Sequence, residues 1–165
     1  MEWGVRRSCE AFSPERAGEV IALRSSERGP LIEILRDLQA TFGYLDPAAT
    51  PIVAEALNLS EAEVYGVISF YADFRTEPAG RRVLQICRAE ACQAMGAEKL
   101  CAHARKRLGV DFGSTTPDGA ITLLEVFCLG NCALSPAVLA DGQLIGRVDD
   151  STLDELIEAA ELASR

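Results

Sequence analysis

The 165-residue chain reads as an α+β protein. A helical bundle occupies residues 1–78, and an α/β domain with a mixed four-stranded sheet occupies residues 79–165. Three observations predict this division. Apolar residues recur every three to four positions through the first half, the period of a helix with one buried face. Pro78-Ala79-Gly80 then interrupts the chain. Beyond it, apolar runs of strand length alternate with helical stretches.

Ser13-Pro14 has the form of an N-cap followed by proline at the first helical position. Ala17, Val20 and Ile21 mark the apolar face of that first helix. Gly29-Pro30 starts a second helix, whose stripe is Leu31, Ile34, Leu35, Leu38 and Phe42. Gly43 suits its end, because glycine takes the left-handed conformation that closes helices. A third helix is expected from near Thr50-Pro51 to Leu57. A fourth opens on the capping box Ser60-Glu61-Ala62-Glu63 and runs to about Tyr71.

In the second half, Arg81 to Cys87 and Ala120 to Phe127 read as strands, with a helix from about Ala97 to Leu108 between them. Ala137 to Ala140 and Gln143 to Gly146 read as a hairpin around Asp141-Gly142, since both residues of a tight hairpin turn need positive φ. A last helix presents Leu153, Leu156, Ile157 and Ala160. The order is β-α-β-β-β-α. If the first two strands are parallel, their crossover is right-handed.

The chemistry is concentrated in cysteine. Four of the six fall as Cys87-x4-Cys92, thirty-five residues, then Cys128-x3-Cys132. Both pairs lie just past the carboxyl ends of the predicted strands, where open α/β sheets hold ligands. Four thiolates with two close spacings suit a [2Fe–2S] cluster, which takes two sulfur ligands on each iron. A tetrahedral zinc site is the serious alternative, and a disulfide pair is a weaker one. A Rieske centre needs two histidines, and His103 is the only one in the chain.

The remaining features set limits. The N-terminal residues Met1 to Arg7 lead into no apolar segment of a signal peptide, and no stretch has the length of a membrane span. A cytoplasmic chain is expected, without direct membrane insertion. The net charge of −9 disfavours nucleic acid and anionic lipid, both of which need a basic face. Residues 52–65 have the pattern of a helix-turn-helix, which would suit an iron–sulfur or zinc-containing regulator. The recognition helix would offer Glu61 and Glu63, with no Arg or Lys before Arg75, whereas base and phosphate contacts need cations. A thiol–disulfide oxidoreductase would want a C-x-x-C pair, which x4 and x3 do not supply. No G-x-G-x-x-G or Walker A motif is present.

Arg88 and Glu90 read as solvated charges of the first cysteine loop. Cys101 falls on the apolar side of its helix and reads as a buried structural thiol. Cys9 is expected in a mobile N-terminal arm and outside the ligand set. His103 sits in the basic run 101–107, read as a solvated helix end complementing the helix dipole, with a docking patch as the alternative. Gly130, inside the second loop, would let the backbone approach the cluster closely.

Val64-Tyr65-Gly66-Val67-Ile68-Ser69-Phe70-Tyr71, the Cys87 to Cys92 loop, and Cys128-Leu129-Gly130-Asn131-Cys132-Ala133-Leu134-Ser135-Pro136 together resemble the thioredoxin-like [2Fe–2S] ferredoxin family. The resemblance runs from about Leu31 to the C-terminus. That family includes the 24-kDa-type subunit of complex I and the small subunits of NAD-linked hydrogenases and formate dehydrogenases. It implies a thioredoxin-like second domain and one [2Fe–2S] cluster on Cys87, Cys92, Cys128 and Cys132. It also implies no catalytic residue of its own, and docking on an FMN- and NAD-binding flavoprotein subunit. Thioredoxin-like folds often hold a cis-proline at the position of Pro136. Within the family, Tyr71-Ala72-Asp73-Phe74-Arg75 and the segment from Cys87 to Gly96 are most similar to the gamma subunit of cytosolic, molybdenum-containing NAD-dependent formate dehydrogenase. That similarity implies a molybdenum-containing partner subunit that oxidises formate.

Overall fold

The computed structural model describes residues 9–162. Met1 to Arg7, where no signal peptide is expected, lie outside the described residues. The chain divides between Pro78 and Ala79 into two compact units.

The first unit is helical: α1 (Pro14–Ala22), α2 (Leu31–Phe42), α3 (Ala49–Leu57) and α4 (Glu61–Phe70). Each helix begins or ends on the residue whose chemistry suits that place. The Ser13 hydroxyl accepts from the Arg16 N–H at 3.1 Å, with Pro14 next to it. Such a cap contributes about 1 kcal/mol. Gly43 closes α2 at φ +84°, and Asn58 closes α3 at φ +51°. At α4, Ser60 and Glu63 form both bonds of the capping box. The Ser60 N–H and hydroxyl both donate to the Glu63 carboxylate, at 2.9 and 2.8 Å. The backbone bond of Ser60, followed by its hydroxyl, holds that carboxyl below its ordinary range.

Ala17, Val20 and Ile21 pack with Ile34, Leu35, Leu38, Val53 and Val64 in one buried cluster. Each large side chain buried there contributes roughly 1.5–3 kcal/mol. Gln39 joins α2 to the segment after α4. Its amide donates to the Asp73 carbonyl at 2.8 Å, and its oxygen accepts from the Arg75 N–H at 2.7 Å.

The segment at Cys9, expected as an N-terminal arm, is bonded to α2 from Glu10 onward. The Glu10 N–H donates to the Thr41 carbonyl at 2.9 Å, and the Glu10 carboxylate pairs with Arg16 at 3.0 Å. A Cβ added at Gly43 would come within 2.8 Å of Cys9 Sγ. The segment is seated against the end of α2 because glycine leaves room for it.

The second unit is a sheet with helices: β1 (Arg82–Cys87), α5 (Glu90–Ala94), α6 (Ala97–Leu108), β2 (Ser114–Thr115), β3 (Ile121–Val126), a 3₁₀ turn (Cys132–Leu134), β4 (Ala137–Ala140), β5 (Gln143–Gly146) and α7 (Asp150–Leu162). The strand order is β2-β3-β1-β4-β5. The pair β1–β3 is parallel, and the other three pairs are antiparallel. The sheet therefore has five strands where four were expected. The added one, β2, is two residues long, too short to show alternation. It is held by pairing with Leu123 and Thr122 and by the Thr115–Thr122 hydroxyl bond at 2.7 Å.

Leu84, Ile86, Leu123 and Val138 of the sheet share a buried cluster with Leu100, Cys101 and Ala104 of α6 and Leu153, Leu156 and Ile157 of α7. The hairpin turn has Asp141 at φ +47° and Gly142 at φ +87°, as its sequence requires. Asp141 also reaches β1, where its carboxylate accepts from the Val83 N–H at 2.8 Å and pairs with Arg82 at 2.9 Å.

Asp149 caps α7, accepting from the Thr152 hydroxyl at 2.7 Å, the Thr152 N–H at 2.8 Å and the Ser151 hydroxyl at 2.8 Å. These bonds, with the Thr152 hydroxyl first, hold its carboxyl at about 2. The folded-state value is depressed below the ~3.9 of an unfolded aspartate. The stabilising contribution is therefore present above that unfolded value and is lost as pH falls through about 2. Asp149→Asn keeps a cap but removes this acid dependence. Thermal melts taken from pH 5 downward should show the wild type losing its advantage over the variant across that window.

Among the described residues, no helix is long and apolar enough to cross a membrane.

Candidate metal centre

The parallel pairing of β1 and β3 builds the site. Cys87, the last residue of β1, is in register with Val126, the last residue of β3. The Arg88 N–H continues the ladder, donating to the Val126 carbonyl at 2.8 Å. Two segments far apart in sequence thus leave the sheet side by side. One carries Cys87 and Cys92, and the other carries Cys128 and Cys132.

The four thiols divide by exposure. Cys87 and Cys92 are each 2% exposed, whereas Cys128 and Cys132 are exposed. The first segment is not a plain loop. It contains the five-residue helix α5, which carries Cys92 on its buried side. One turn of helix is too short for periodicity to reveal. In the second segment, Cys128 has φ +114° and Gly130 has φ +74°. Left-handed backbone is unfavourable for a residue with a Cβ, and such positions concentrate at functional sites. The turn brings the Gly130 N–H onto Cys128 Sγ at 3.3 Å.

Burial disfavours a thiolate at Cys87. It is outweighed by the Ala89 N–H, the Cys92 thiol, and the Leu129 and Cys128 N–H groups, which together hold the Cys87 thiol below its ordinary range. Cys132 is pushed up, first by its bond with Cys128 and then by the charge of Cys128, with Cys92 and Cys87 adding to it. Each thiol's tendency to ionise thus depends on the other cysteines of the site. Among the described residues, no three His, Cys, Asp or Glu side chains gather around one single-ion position. Four cysteine thiols are the ligand number that a [2Fe–2S] cluster would take. The donor set, four thiols with backbone N–H groups aimed at sulfur, fits such a cluster.

The charges around the site are more ordered than the sequence suggests. Arg88 is not a solvated loop charge. It pairs with Glu98 of α6 at 3.1 Å and with Glu125 of β3, and its guanidinium lies 5.6 Å from the centre of the Phe112 ring. Its carbonyl accepts from the Gln93 amide at 2.7 Å. Arg88 thus ties the first cysteine segment to both flanking elements. Glu90 is exposed in the first turn of α5.

Burial pushes the Cys101 thiol up to about 11, so it stays protonated at neutral pH and packs as an apolar group. The basic run of α6 is paired more than its sequence suggests. His103 Nε2 lies 2.9 Å from Asp154, Arg107 lies 3.4 Å from Glu161, and Arg105 pairs with Asp111. Much of its charge is matched by α7. Ser135-Pro136 is a cis peptide.

A mixed sheet with helices, carrying two cysteine pairs at the ends of its parallel strands, defines a thioredoxin-like iron–sulfur domain. The family described as thioredoxin-like [2Fe-2S] ferredoxin matches residues 17–161. The chain belongs to that family, whose cofactor is a [2Fe–2S] cluster. An NADH-quinone oxidoreductase subunit from Pseudomonas aeruginosa is 36% identical over 132 residues, covering 80% of this chain and 80% of that protein. The HndA subunit of the NADP-reducing hydrogenase of Solidesulfovibrio fructosivorans is 33% identical over 131 residues, covering 79% and 77%. Among solved structures, the air-oxidised NAD⁺-reducing [NiFe]-hydrogenase aligns with a TM-score of 0.70 at 25% identity. The alignment covers 81% of this chain but only 23% of that hydrogenase chain.

The helix-turn-helix pattern of residues 52–65 corresponds to α3, the turn at Asn58 and α4. The exposed side of α4 carries Tyr65 and Phe70 with Glu61 and Glu63 in its first turn. That surface is aromatic and acidic, unsuited to a nucleic-acid backbone.

Proposed function

We propose that this chain is an electron-transfer subunit of an NAD(P)-linked oxidoreductase complex, with Cys87, Cys92, Cys128 and Cys132 as the ligands of one [2Fe–2S] cluster. The observation that carries the reading is the register of Cys87 with Val126, which delivers both thiol pairs to one end of the sheet. The named relatives are subunits of a quinone-linked NADH oxidoreductase and of an NADP-reducing hydrogenase, which supports the class of complex.

When bound, the cluster takes up and returns one electron at a time. The chain's own residues do the rest. The four thiols lose their protons on ligation, so assembly is coupled to folding of this unit. The N–H groups of Ala89, Cys128, Leu129 and Gly130 direct partial positive charge at sulfur and favour the more negative, reduced state. Burial of Cys87 and Cys92 opposes it, and exposure of Cys128 and Cys132 leaves one side of the site open to a partner. Large apolar side chains stand exposed within three residues of the cysteines: Met95, Phe127 and Leu134.

A nicotinamide exchanges a hydride, so a flavin must stand between it and a one-electron centre. The partner in this reading is an FMN- and NAD-binding flavoprotein subunit. The finer reading is a cytoplasmic NAD-dependent formate dehydrogenase with a molybdenum-containing subunit, supported by the character of residues 71–75 and 87–96. The identity to the NADH-quinone oxidoreductase subunit favours the second reading, a 24-kDa-type subunit of complex I or of an NAD-linked hydrogenase. Co-purification of a molybdenum protein would separate the two.

Anaerobic EPR tests the assignment. NADH alone should leave the isolated chain oxidised, and adding its flavoprotein should bring up the reduced signal. Rapid stoichiometric reduction without flavoprotein would replace the electron-transfer reading with one in which this chain binds nucleotide itself.

A further inference from the structure

Ser135 is one of two buried polar side chains found among the described residues, at 8% exposure, the other being Thr122. Its hydroxyl stands between the two cysteine segments. The Ser135 O–H donates to the Cys132 carbonyl at 2.8 Å. Its oxygen receives the Cys92 thiol, with Sγ 3.6 Å away. One side chain thus touches a cysteine of the first pair and the backbone of a cysteine of the second.

This arrangement holds only while Cys92 keeps its proton. As a ligand, Cys92 is a thiolate and an acceptor only. The Ser135 oxygen would then face an anionic sulfur with no proton between them. The hydroxyl has a single proton and rotates freely about its C–O bond. It can therefore turn from the Cys132 carbonyl to the Cys92 sulfur, and a charge-assisted bond to sulfur is the stronger of the two.

We propose that Ser135 is a positioning residue that sets the reduction potential through Cys92, donating to its sulfur most strongly in the reduced state. The proposal rests on the reading that Cys92 is a cluster ligand. The step is simple in its balance. One electron would arrive from an external reductant, which is oxidised, and would be taken up by the irons of the cluster, with part of the added negative charge felt at the ligand sulfurs. No covalent bond of Ser135 forms or breaks, and its proton changes acceptor without leaving. Because the added charge lies partly on Cys92, a donor there favours reduction.

The test is a redox titration of the reduced EPR signal, with dithionite as reductant, on the full-length wild type, Ser135→Ala, Ser135→Gly and Ser135→Thr. Without the hydroxyl, the equilibrium constant for reduction should fall about tenfold, a shift of ~59 mV to lower potential for a one-electron couple. Ser135→Thr, which keeps a hydroxyl, should restore it. A change of less than about threefold in Ser135→Ala overturns the proposal on the same scale. So does a fall that Ser135→Thr shares, since the hydroxyl is then not its cause. Loss of iron from both deletion variants also overturns it, by making the hydroxyl a requirement for assembly. Failure of the underlying ligand reading looks different, because Cys92→Ser would then keep the iron–sulfur signal at full iron content.

Discussion

Serine in place of Cys87, Cys92, Cys128 or Cys132 is expected to abolish or strongly perturb the cluster, while Cys9→Ser and Cys101→Ser retain it. Oxygen is a harder ligand than sulfur and is poorly suited to iron–sulfur chemistry. The loss should be most complete at Cys87 and Cys92, which are buried and cannot be replaced by water at the same place. Cys101 shares a buried apolar cluster with Leu84, Leu100 and Leu153. A serine hydroxyl there costs about 1–3 kcal/mol without a hydrogen-bond partner, so that variant should melt earlier yet carry full iron. Iron and acid-labile sulfide per chain, with melting curves on the same samples, check both halves. Cluster loss specific to a folded Cys101→Ser protein would overturn the ligand assignment.

Gly146→Ala is expected to have the second largest effect, although residue 146 is far from every cysteine in sequence. A Cβ at this position would lie 2.6 Å from Leu134 Cβ, 2.7 Å from Asn131 Nδ2 and 2.8 Å from the Leu134 carbonyl oxygen. Real Cβ atoms do not come so close, and one of these neighbours is backbone. The Arg147 N–H also donates to the Leu134 carbonyl at 2.7 Å, which pins the two segments together. The methyl must push the Asn131 to Leu134 turn away, and Cys132 moves with it. Overpacking of this kind costs about 1–3 kcal/mol, or roughly 4–8 °C of melting temperature per kcal/mol in a domain of this size. Iron occupancy should fall as well. Gly18→Ala in α1 is the control, since a Cβ there meets nothing within 4 Å and alanine is the better helix former. Equal melting temperatures and iron contents for Gly146→Ala and wild type would show that the turn is free to shift.

The contrast between these two positions shows what can be read from sequence. The cysteine spacings are local, and so are the caps at Ser13, Gly43 and Ser60 and the Asp141-Gly142 turn. Each follows from chemistry confined to a few neighbouring residues, and each element lies within a residue or two of its expected place. What escapes is set by tertiary approach. The strand β2 exists because β3 is beside it, not because Ser114-Thr115 has a pattern. The helix α5 is a single turn. Arg88 looks like a loop charge until Glu98, Glu125 and Phe112 are brought around it. His103 and Arg107 look like a free basic end until α7 supplies Asp154 and Glu161. Gly146 carries no sequence signal beyond being glycine at a strand end. Ser135 is visible in the sequence only as the residue before a proline, and its place between Cys92 and Cys132 requires the fold.

The central claim is that two cysteine pairs, set side by side by the β1–β3 register, hold two irons. Metal and sulfide analysis of anaerobically purified protein, followed by EPR after dithionite, tests it most directly. About two irons and two acid-labile sulfides per chain are expected, as one such cluster contains, with a spin-½ signal appearing on reduction. Stoichiometric zinc without iron, in protein reconstituted anaerobically, would contradict it.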